Sequence, residues 1–390
     1  MARRGLELAL ASAFGAGVAV AVLRVLARRR RPAGHAVARA LVWKCISGAM
    51  SASQLFVGDK LGLYAALREM DGPCTAEDLA KATSLNVRWL REWLAQQAAL
   101  GVVVLLDGDG DSDADLVYEF PQEFADVLAD PNHAQYDIPL IQMVPALVAR
   151  AKTMLPEAFK SGIGRSYDDK DISEAIDRAH ARQIRDVVVP KVVPLTPAHA
   201  AMLLPGARVA DLGCGGGNLL LALARRYSEA SFEGFEISAA ALATARFNVG
   251  AARDVKNATV VNANVRSLGD AGPFDVVVTF DVLHDSTDPA ALIAQVRRAL
   301  KPGGCWLLGD IACRDGVRST LRDKNADAAL LYGFSICLCM ASALSQPNGA
   351  GLGTLGFTVP RAREMLAAGG FDKVRVVHEQ DGTRWFEIIG

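Results

Sequence analysis

This 390-residue chain lacks an excess of charge of either sign: 42 basic against 43 acidic side chains leave a formal net charge of −1. That excludes a global electrostatic pull toward nucleic acid or a membrane surface. Paired cysteines are also missing. The seven, at 45, 74, 214, 305, 313, 337 and 339, are odd in number and include no CxxC pair. Neither a disulfide framework nor a zinc site follows, no metal is expected, and a reducing compartment fits best. Internal repeats and low-complexity segments are absent too, which argues against a solenoid or a disordered scaffold. At the N-terminus the apolar run is short: Leu8 to Leu23 is uncharged for sixteen residues. A spanning helix wants roughly twenty, so this one spans only if Arg24 snorkels.

What is present is unevenly placed. Residues 1–35 hold seven Arg and one acid, a net of +6, whereas residues 36–130 hold seven basic and fifteen acidic residues, a net of −8. Two readings of residues 1–35 stand side by side. One is a membrane anchor that leaves the body of the protein on the cytoplasmic face, because the basic flank Arg28 to Arg31 follows the apolar run. The other is an Arg-rich, Ala-rich organelle transit peptide, although Ser12 is its one serine. Either places the protein inside the cell.

From residue 36 to 130 the pattern is helix, helix, helix, hairpin. Apolar helical stretches run over 36–50 and 55–70, and Thr75 with Asp78 has the spacing of a capping pair opening a helix over 76–82. A further helix over 86–100 carries Leu90, Trp93 and Leu94 on one face. Two strands, 102–106 and 116–120, flank an Asp/Gly turn. That is the layout of a winged helix. Residues 131–203 read as a helical connector broken at Pro145, Pro156 and Gly162 to Gly164. From 204 to 390 strand, Gly-rich turn and helix alternate, which predicts a parallel sheet covered on both faces, closed by a hairpin over 373–389.

Chemistry concentrates in that last region. Asp211-Leu212-Gly213-Cys214-Gly215-Gly216-Gly217 follows a short apolar run and precedes a helical stretch. Its glycines allow a tight turn and close approach of backbone to ligand, and a helix start offers N–H groups to an anion. A nicotinamide loop, GxGxxG, would need glycine where Asn218 stands. Twenty-five residues after Asp211, a strand ends in Glu236, where a carboxylate can accept both hydroxyls of a ribose. A third strand, Thr259 to Asn262, leads to Asn264, where an adenine would be expected to lie. Phe274 to Phe280 is followed by Asp281, and Lys301-Pro302-Gly303-Gly304 turns into a strand ending at Asp310. Ligands of open parallel sheets bind at these carboxyl ends.

Asp211 to Gly217, Glu236, Phe274-Asp275 and Lys301 to Gly304 resemble the class I S-adenosylmethionine-dependent methyltransferases. With a winged helix in front, the whole resembles small-molecule O-methyltransferases. It is also similar to a bacterial winged-helix branch, through Gly58 to Tyr64, Trp89 to Leu94, His284-Asp285 and Gly351 to Thr354. The resemblance implies an α/β, Rossmann-like sheet of order 3-2-1-4-5-7-6 and S-adenosylmethionine held by Asp211, Gly213, Gly215, Gly217, Glu236, Asn264 and Asp281. It further implies a homodimer built by the winged-helix domain, and a small acceptor.

His284 matches the general base of that family, and Asp310 a carboxylate positioning it. Ser286 stands where tryptophan usually follows His-Asp, and the second helper acid has no counterpart. Imidazole suits deprotonation of a hydroxyl near neutral pH. The equal alternative is that His284-Asp285 shapes the loop before the Asp288-Pro289 helix start. The apolar segment 312–357, including Tyr332, Phe334, Met340 and Leu344, and the helices over 131–160 would roof the pocket and suit a hydrophobic or aromatic acceptor; core packing explains the same residues. DNA binding is disfavoured, because phosphates repel a domain of net −8 with five Asp in its hairpin turn. The Asp run lacks glycine at the sixth and Glu at the twelfth position of a calcium loop. A non-catalytic S-adenosylmethionine sensor and N- or C-methylation remain as rival functions.

Overall fold

The computed structural model describes residues 34–106, 116–166, 168–323 and 327–390. The apolar run Leu8 to Leu23 and the Asp-rich hairpin turn lie outside them. The chain divides into two compact units at Ala52/Ser53.

The first unit holds most of helix α1, His35–Lys60. Val37, Leu41, Val42, Trp43 and Ile46 are exposed on it. Among the described residues α1 is the one unbroken helix long and apolar enough to cross a membrane, by length and composition alone.

In the second unit, α2 spans Leu63–Met70, β1 Cys74–Thr75, α3 Ala76–Thr83, α4 Val87–Leu100, β2 Val104–Leu105 and β3 Val117–Glu119. The two helices expected over 36–50 and 55–70 are instead one long helix and a short one, parted at Leu61-Gly62. Apolar periodicity runs straight through 50–55, and the stop is the left-handed conformation of Gly62 (φ 69°). The Thr75–Asp78 pair forms a full capping box, satisfying helix-start N–H groups that would otherwise be orphaned. The three strands pair in the order β1-β3-β2. Leu63, Tyr64, Leu79, Leu90, Trp93 and Leu94 form the core of this domain, and the Tyr64 hydroxyl donates to the fully buried Gln97 Oε1 at 2.8 Å.

The helices of this connector do break beside Pro145 and Pro156, and each proline stands in the first turn of the helix that follows, Val144–Thr153 and Leu155–Ser161. Proline is tolerated in a first turn, where its missing N–H would have no intrahelical partner. Helix α5, Lys170–Gln183, is capped by Asp169, whose side chain accepts from the Ile172 N–H. It runs on into a wide π-helical turn, Ile184–Val192.

The last region contains β4 Arg208–Leu212, α6 Asn218–Arg226, β5 Ser231–Glu236, α7 Ala239–Ala251, β6 Ala258–Asn262, β7 Phe274–Phe280, α8 Pro289–Ala299, β8 Leu300–Ile311, α9 Val359–Ala368, β9 Lys373–Gln380 and β10 Thr383–Ile389. The strands form one sheet ordered β6-β5-β4-β7-β8-β10-β9, parallel except that β10 runs antiparallel to both neighbours. Successive residues supply two separate cores. Val209, Val276, Val278, Leu307 and Trp385 belong to one cluster; Ala210, Val277, Leu308 and Phe386 belong to the other. This is the period-two alternation of strands buried on both faces. The carboxyl ends of β4, β5, β6 and β7 therefore meet along one edge, and the site lies there.

Candidate active site

The turn after β4 is built on left-handed glycines: Gly213, Gly215 and Gly217 have φ of 75°, 54° and 85°. Only glycine takes that conformation without strain from a Cβ. Gly213 and Cys214 donate their N–H groups to Phe235 O, tying the turn to β5. Glu236 then clasps it. The Glu236 carboxylate, 7% exposed, accepts from the Gly215 N–H at 2.9 Å and from the Ile237 and Ser238 N–H groups at 2.8 Å each. Burial nonetheless pushes the Glu236 carboxyl above its ordinary pKa, opposed by those three bonds.

A cavity of about 450 Å³ opens over this turn, a size suited to a small ligand. Asp211, Gly213, Gly215, Glu236, Asn264 and Asp281 line it; Gly217 does not, and shapes the turn behind. Asp211 is 2% exposed, and its Oδ2 has no hydrogen-bond partner. Burial, with the charge of Glu236 adding, pushes Asp211 up to about 7. Asn264 donates from its amide to Ile237 O at 2.9 Å. Asp281 is held at φ 63°, a strained conformation for a residue with a Cβ. It faces His180 Nε2 at 3.5 Å and His284 Nδ1 at 3.7 Å, so this carboxylate looks toward histidines as well as toward the ligand space.

The far wall differs from the sequence reading. None of Tyr332, Phe334, Met340 and Leu344, and nothing in 131–160, lines the cavity. Phe334 packs instead against the cluster of Met143, Ile172 and Ala175. The wall comes from α5 and the residues around it (Ser166, Asp168, Ser173, Ile176, Asp177, His180, Ile184) and from Ser342, Ser345 and Gln346. Asp177 and His180 carry no local motif, since their position depends on a helix that packs across the glycine turn from outside the sheet. Asp168 reinforces the wall: its Oδ1 accepts from Ser238 Oγ at 2.8 Å and the Ala240 N–H at 3.1 Å.

His284 and Asp310 do meet, Nδ1 to Oδ1 at 2.7 Å, both 1% exposed. The opposite ring nitrogen, Nε2, lies 3.3 Å from Asp285 Oδ1. Burial opposes a charge on His284, but Asp285 and Asp310 outweigh it and hold the imidazole well above its ordinary pKa. Asp285 is itself pushed up to about 7 by burial, against the pull of His284. Asp285 lines the cavity and His284 lies behind it. Cys339 joins His284 and Asp285 in a cluster close enough to hold a metal ion, as do Asp281, His284 and Asp310. The ion pairs of His284 with Asp281, Asp285 and Asp310 account for how these groups come together.

In the winged-helix domain, α4 offers Arg88 and Arg91. Arg88 pairs with Glu92 at 2.7 Å and Arg91 pairs with Glu77. Neither guanidinium is left without an acid.

Comparison with known proteins follows the same division of the chain. Residues 203–380 match the family model of a methyltransferase domain, and residues 49–130 that of an Rv2258c-like winged helix-turn-helix domain. The ubiquinone biosynthesis O-methyltransferase of Xanthomonas campestris pv. campestris is 35% identical over 117 residues, 29% of this chain and 46% of that one. The aligned stretch thus spans about half the length of such curated relatives. Human N-acetylserotonin methyltransferase, solved in complex with S-adenosylmethionine, superposes with a TM-score of 0.65 over 92% of this chain and 98% of that one, at 16% identity. An O-methyltransferase family protein from Burkholderia thailandensis gives 0.62 over 89% and 96%, at 17%. At those identities the likeness is one of fold.

Over the two matched stretches, then, the chain carries a methyltransferase domain on a seven-stranded sheet behind an N-terminal winged-helix domain. Within it, residues 203–380 are the methyltransferase domain, and the winged domain is of the Rv2258c-like kind.

Proposed function

We propose that this chain binds S-adenosylmethionine in the cavity over the glycine turn and transfers its methyl group to a hydroxyl of a small acceptor. The observation that carries the reading is the pairing of the Gly213–Gly217 turn with Glu236 across the tips of β4 and β5. The residues fit the cofactor on structural grounds. Asp211 presents an orphaned, buried carboxylate oxygen, which a cationic ligand would satisfy. Glu236 stands at the strand end where a ribose diol is held.

Bound there, the cofactor supplies a methyl group already activated on a sulfonium. The protein therefore has two tasks, alignment of the acceptor in a space with little water and removal of its proton. Asp285 and His284 offer the proton a route on this geometry. Asp285, at the cavity wall, receives it from the acceptor oxygen, while the His284–Asp310 pair behind fixes the carboxylate and shares its proton through Nε2. The Gly213–Gly217 turn, Asp211 and Glu236 would hold the cofactor, which would supply its methyl group to the acceptor oxygen and leave as the thioether. His284 acts as a positioning and proton-sharing residue, and Asp310 orients it.

The wall of Ser342, Ser345 and Gln346 suits an acceptor with polar substituents on an apolar body. Among the described residues no Lys or Arg lines the cavity, which disfavours an acceptor that depends on a carboxylate. We assign the winged domain to pairing with a second copy, not to nucleic acid, because both arginines of α4 are already paired with acids. Mass spectrometry of cell extract incubated with methyl-labelled cofactor tests the assignment: a labelled small molecule that disappears with the Asp285→Asn variant is expected. Tight cofactor binding with no labelled product would leave a sensor, and a label on nitrogen or carbon would overturn the choice of acceptor atom.

A further inference from the structure

We infer that Asp177, from the connector helix α5, is the ligand of the α-ammonium group of the cofactor's methionine moiety, which makes the glycine turn of this protein a receptor for a cation. The inference rests on the cofactor reading above.

Helix α5 lays one face along the cavity. Ser173, Ile176, Asp177 and His180 all line it, the spacing of residues stacked on a single helical side. Asp177 is anchored at both ends. Its Oδ1 accepts from the Gly216 N–H at 3.0 Å, and its backbone carbonyl accepts from Asn218 Nδ2 at 2.9 Å. Its Oδ2 is buried and has no hydrogen-bond partner. The approach is close: a Cβ on residue 216 would sit 2.0 Å from that oxygen, so the pair requires glycine there.

The N–H groups of such a turn ordinarily receive an anion. In this chain that capacity is spent. The Gly215 N–H donates to Glu236 and the Gly216 N–H to Asp177. What the turn offers a ligand is therefore carboxylate oxygen: Oδ2 of Asp177 and Oδ2 of Asp211, both without partners. Asp211 is almost wholly buried, and among the described residues no Lys or Arg lines the cavity. Buried carboxylates are kept charged only by a compensating cation. An alkylammonium provides three donors on a single positive centre, and the methionine end of the cofactor carries such a group. Burial has already pushed Asp177 up to about 6, with the charge of Glu236 contributing, consistent with a carboxylate awaiting a counter-ion.

The test is titration calorimetry on the full chain with three ligands: S-adenosylhomocysteine, its deaminated analogue, and 5′-methylthioadenosine, which lacks the whole amino-acid moiety. Asp177→Asn keeps an oxygen for the Gly216 N–H and removes the charge; Asp177→Ser serves if that variant does not fold. The substitution is expected to weaken S-adenosylhomocysteine on the order of 30-fold or more, as for breaking a desolvated charge pair, and to change 5′-methylthioadenosine by less than about 3-fold. The wild-type protein should lose a similar factor against the deaminated ligand, and the variant should lose little further. Equal binding of S-adenosylhomocysteine by variant and wild type, or equal losses for all three ligands, overturns the inference. Failure of the wild type to bind S-adenosylhomocysteine at all overturns the cofactor reading instead.

Discussion

Glu236 has two duties on this structure, and substituting it separates them. Its carboxylate accepts three backbone N–H groups at 2.8–2.9 Å, and it is also expected to accept the hydroxyls of a ribose. Hydrogen bonds to a charged group contribute about 1.5–3 kcal/mol each. Alanine would remove all three at once, a loss of about 4 kcal/mol or more, against a total stability of about 5–15 kcal/mol. Glutamine is the more informative change. Its one oxygen can serve Ile237 and Ser238, while its NH₂ confronts the Gly215 N–H, costing about 1–3 kcal/mol of stability. For the ligand, two hydroxyl bonds to a charge become weaker or misdirected, about 3 kcal/mol or roughly 100-fold in affinity. The assay is calorimetry of Glu236→Gln with S-adenosylhomocysteine and with its 2′,3′-dideoxy analogue, alongside thermal unfolding without ligand. Because the carboxylate and the diol interact with each other, removing both should cost little more than removing either. Fully additive losses, or an affinity unchanged by the substitution, would refute the assignment of Glu236 to the ribose.

Further outcomes follow from the same geometry. Gly217→Ala should cost about 1–2 kcal/mol for the left-handed φ of 85° alone, since its nearest neighbour would be 3.7 Å from the new Cβ. Gly213→Ala meets Val282 Cγ2 at 2.6 Å and should cost about 2–4 kcal/mol; denaturant midpoints in the reverse order would contradict the turn. His284→Ala and Asp285→Asn should each leave S-adenosylhomocysteine affinity within about 3-fold but lower turnover on the order of 10²–10⁴-fold, and normal turnover in both would reduce the pair to shaping the loop. Asp211 and Asp285 are pushed up to about 7 and Asp177 to about 6, so the folded protein binds their protons more tightly than the unfolded chain. Stability of the unliganded protein should therefore fall as pH rises from about 4 through 7. Asp275, drawn down by the Arg208 N–H and Lys301 against its burial, acts in the opposite sense below that range. The thermal shift given by S-adenosylhomocysteine should grow between pH 5.5 and 7.5; a flat profile would mean that these carboxylates do not face the ligand's cation.

Much of the sheet was legible because each of its features has a local cause. The D-x-G-x-G-x-G turn, the acid at the tip of β5 and the Lys301-Pro302-Gly303-Gly304 entry into β8 are stretches in which backbone conformation and residue type constrain each other. The Thr75–Asp78 capping box was readable for the same reason. What escaped depends on packing between segments remote in sequence. Asp177 lies 39 residues before Gly216, and nothing in its neighbourhood announces that α5 crosses the turn. The segment 312–357 does reach the cavity, but through Ser342, Ser345 and Gln346 and not through its large apolar residues: hydropathy records burial, and Phe334 is buried against Met143 and Ile172 instead. His284 was found by its neighbour Asp285, but only the fold shows that the aspartate stands in front.

The most direct measurement is a crystal structure of the protein grown with S-adenosylhomocysteine. The account predicts ligand density over the Gly213–Gly217 turn, with the ribose hydroxyls on Glu236, the amino group on Asp177, and the sulfur turned toward Asp285. Density for the ligand elsewhere, or the same crevice occupied by a nicotinamide or flavin nucleotide, would contradict it.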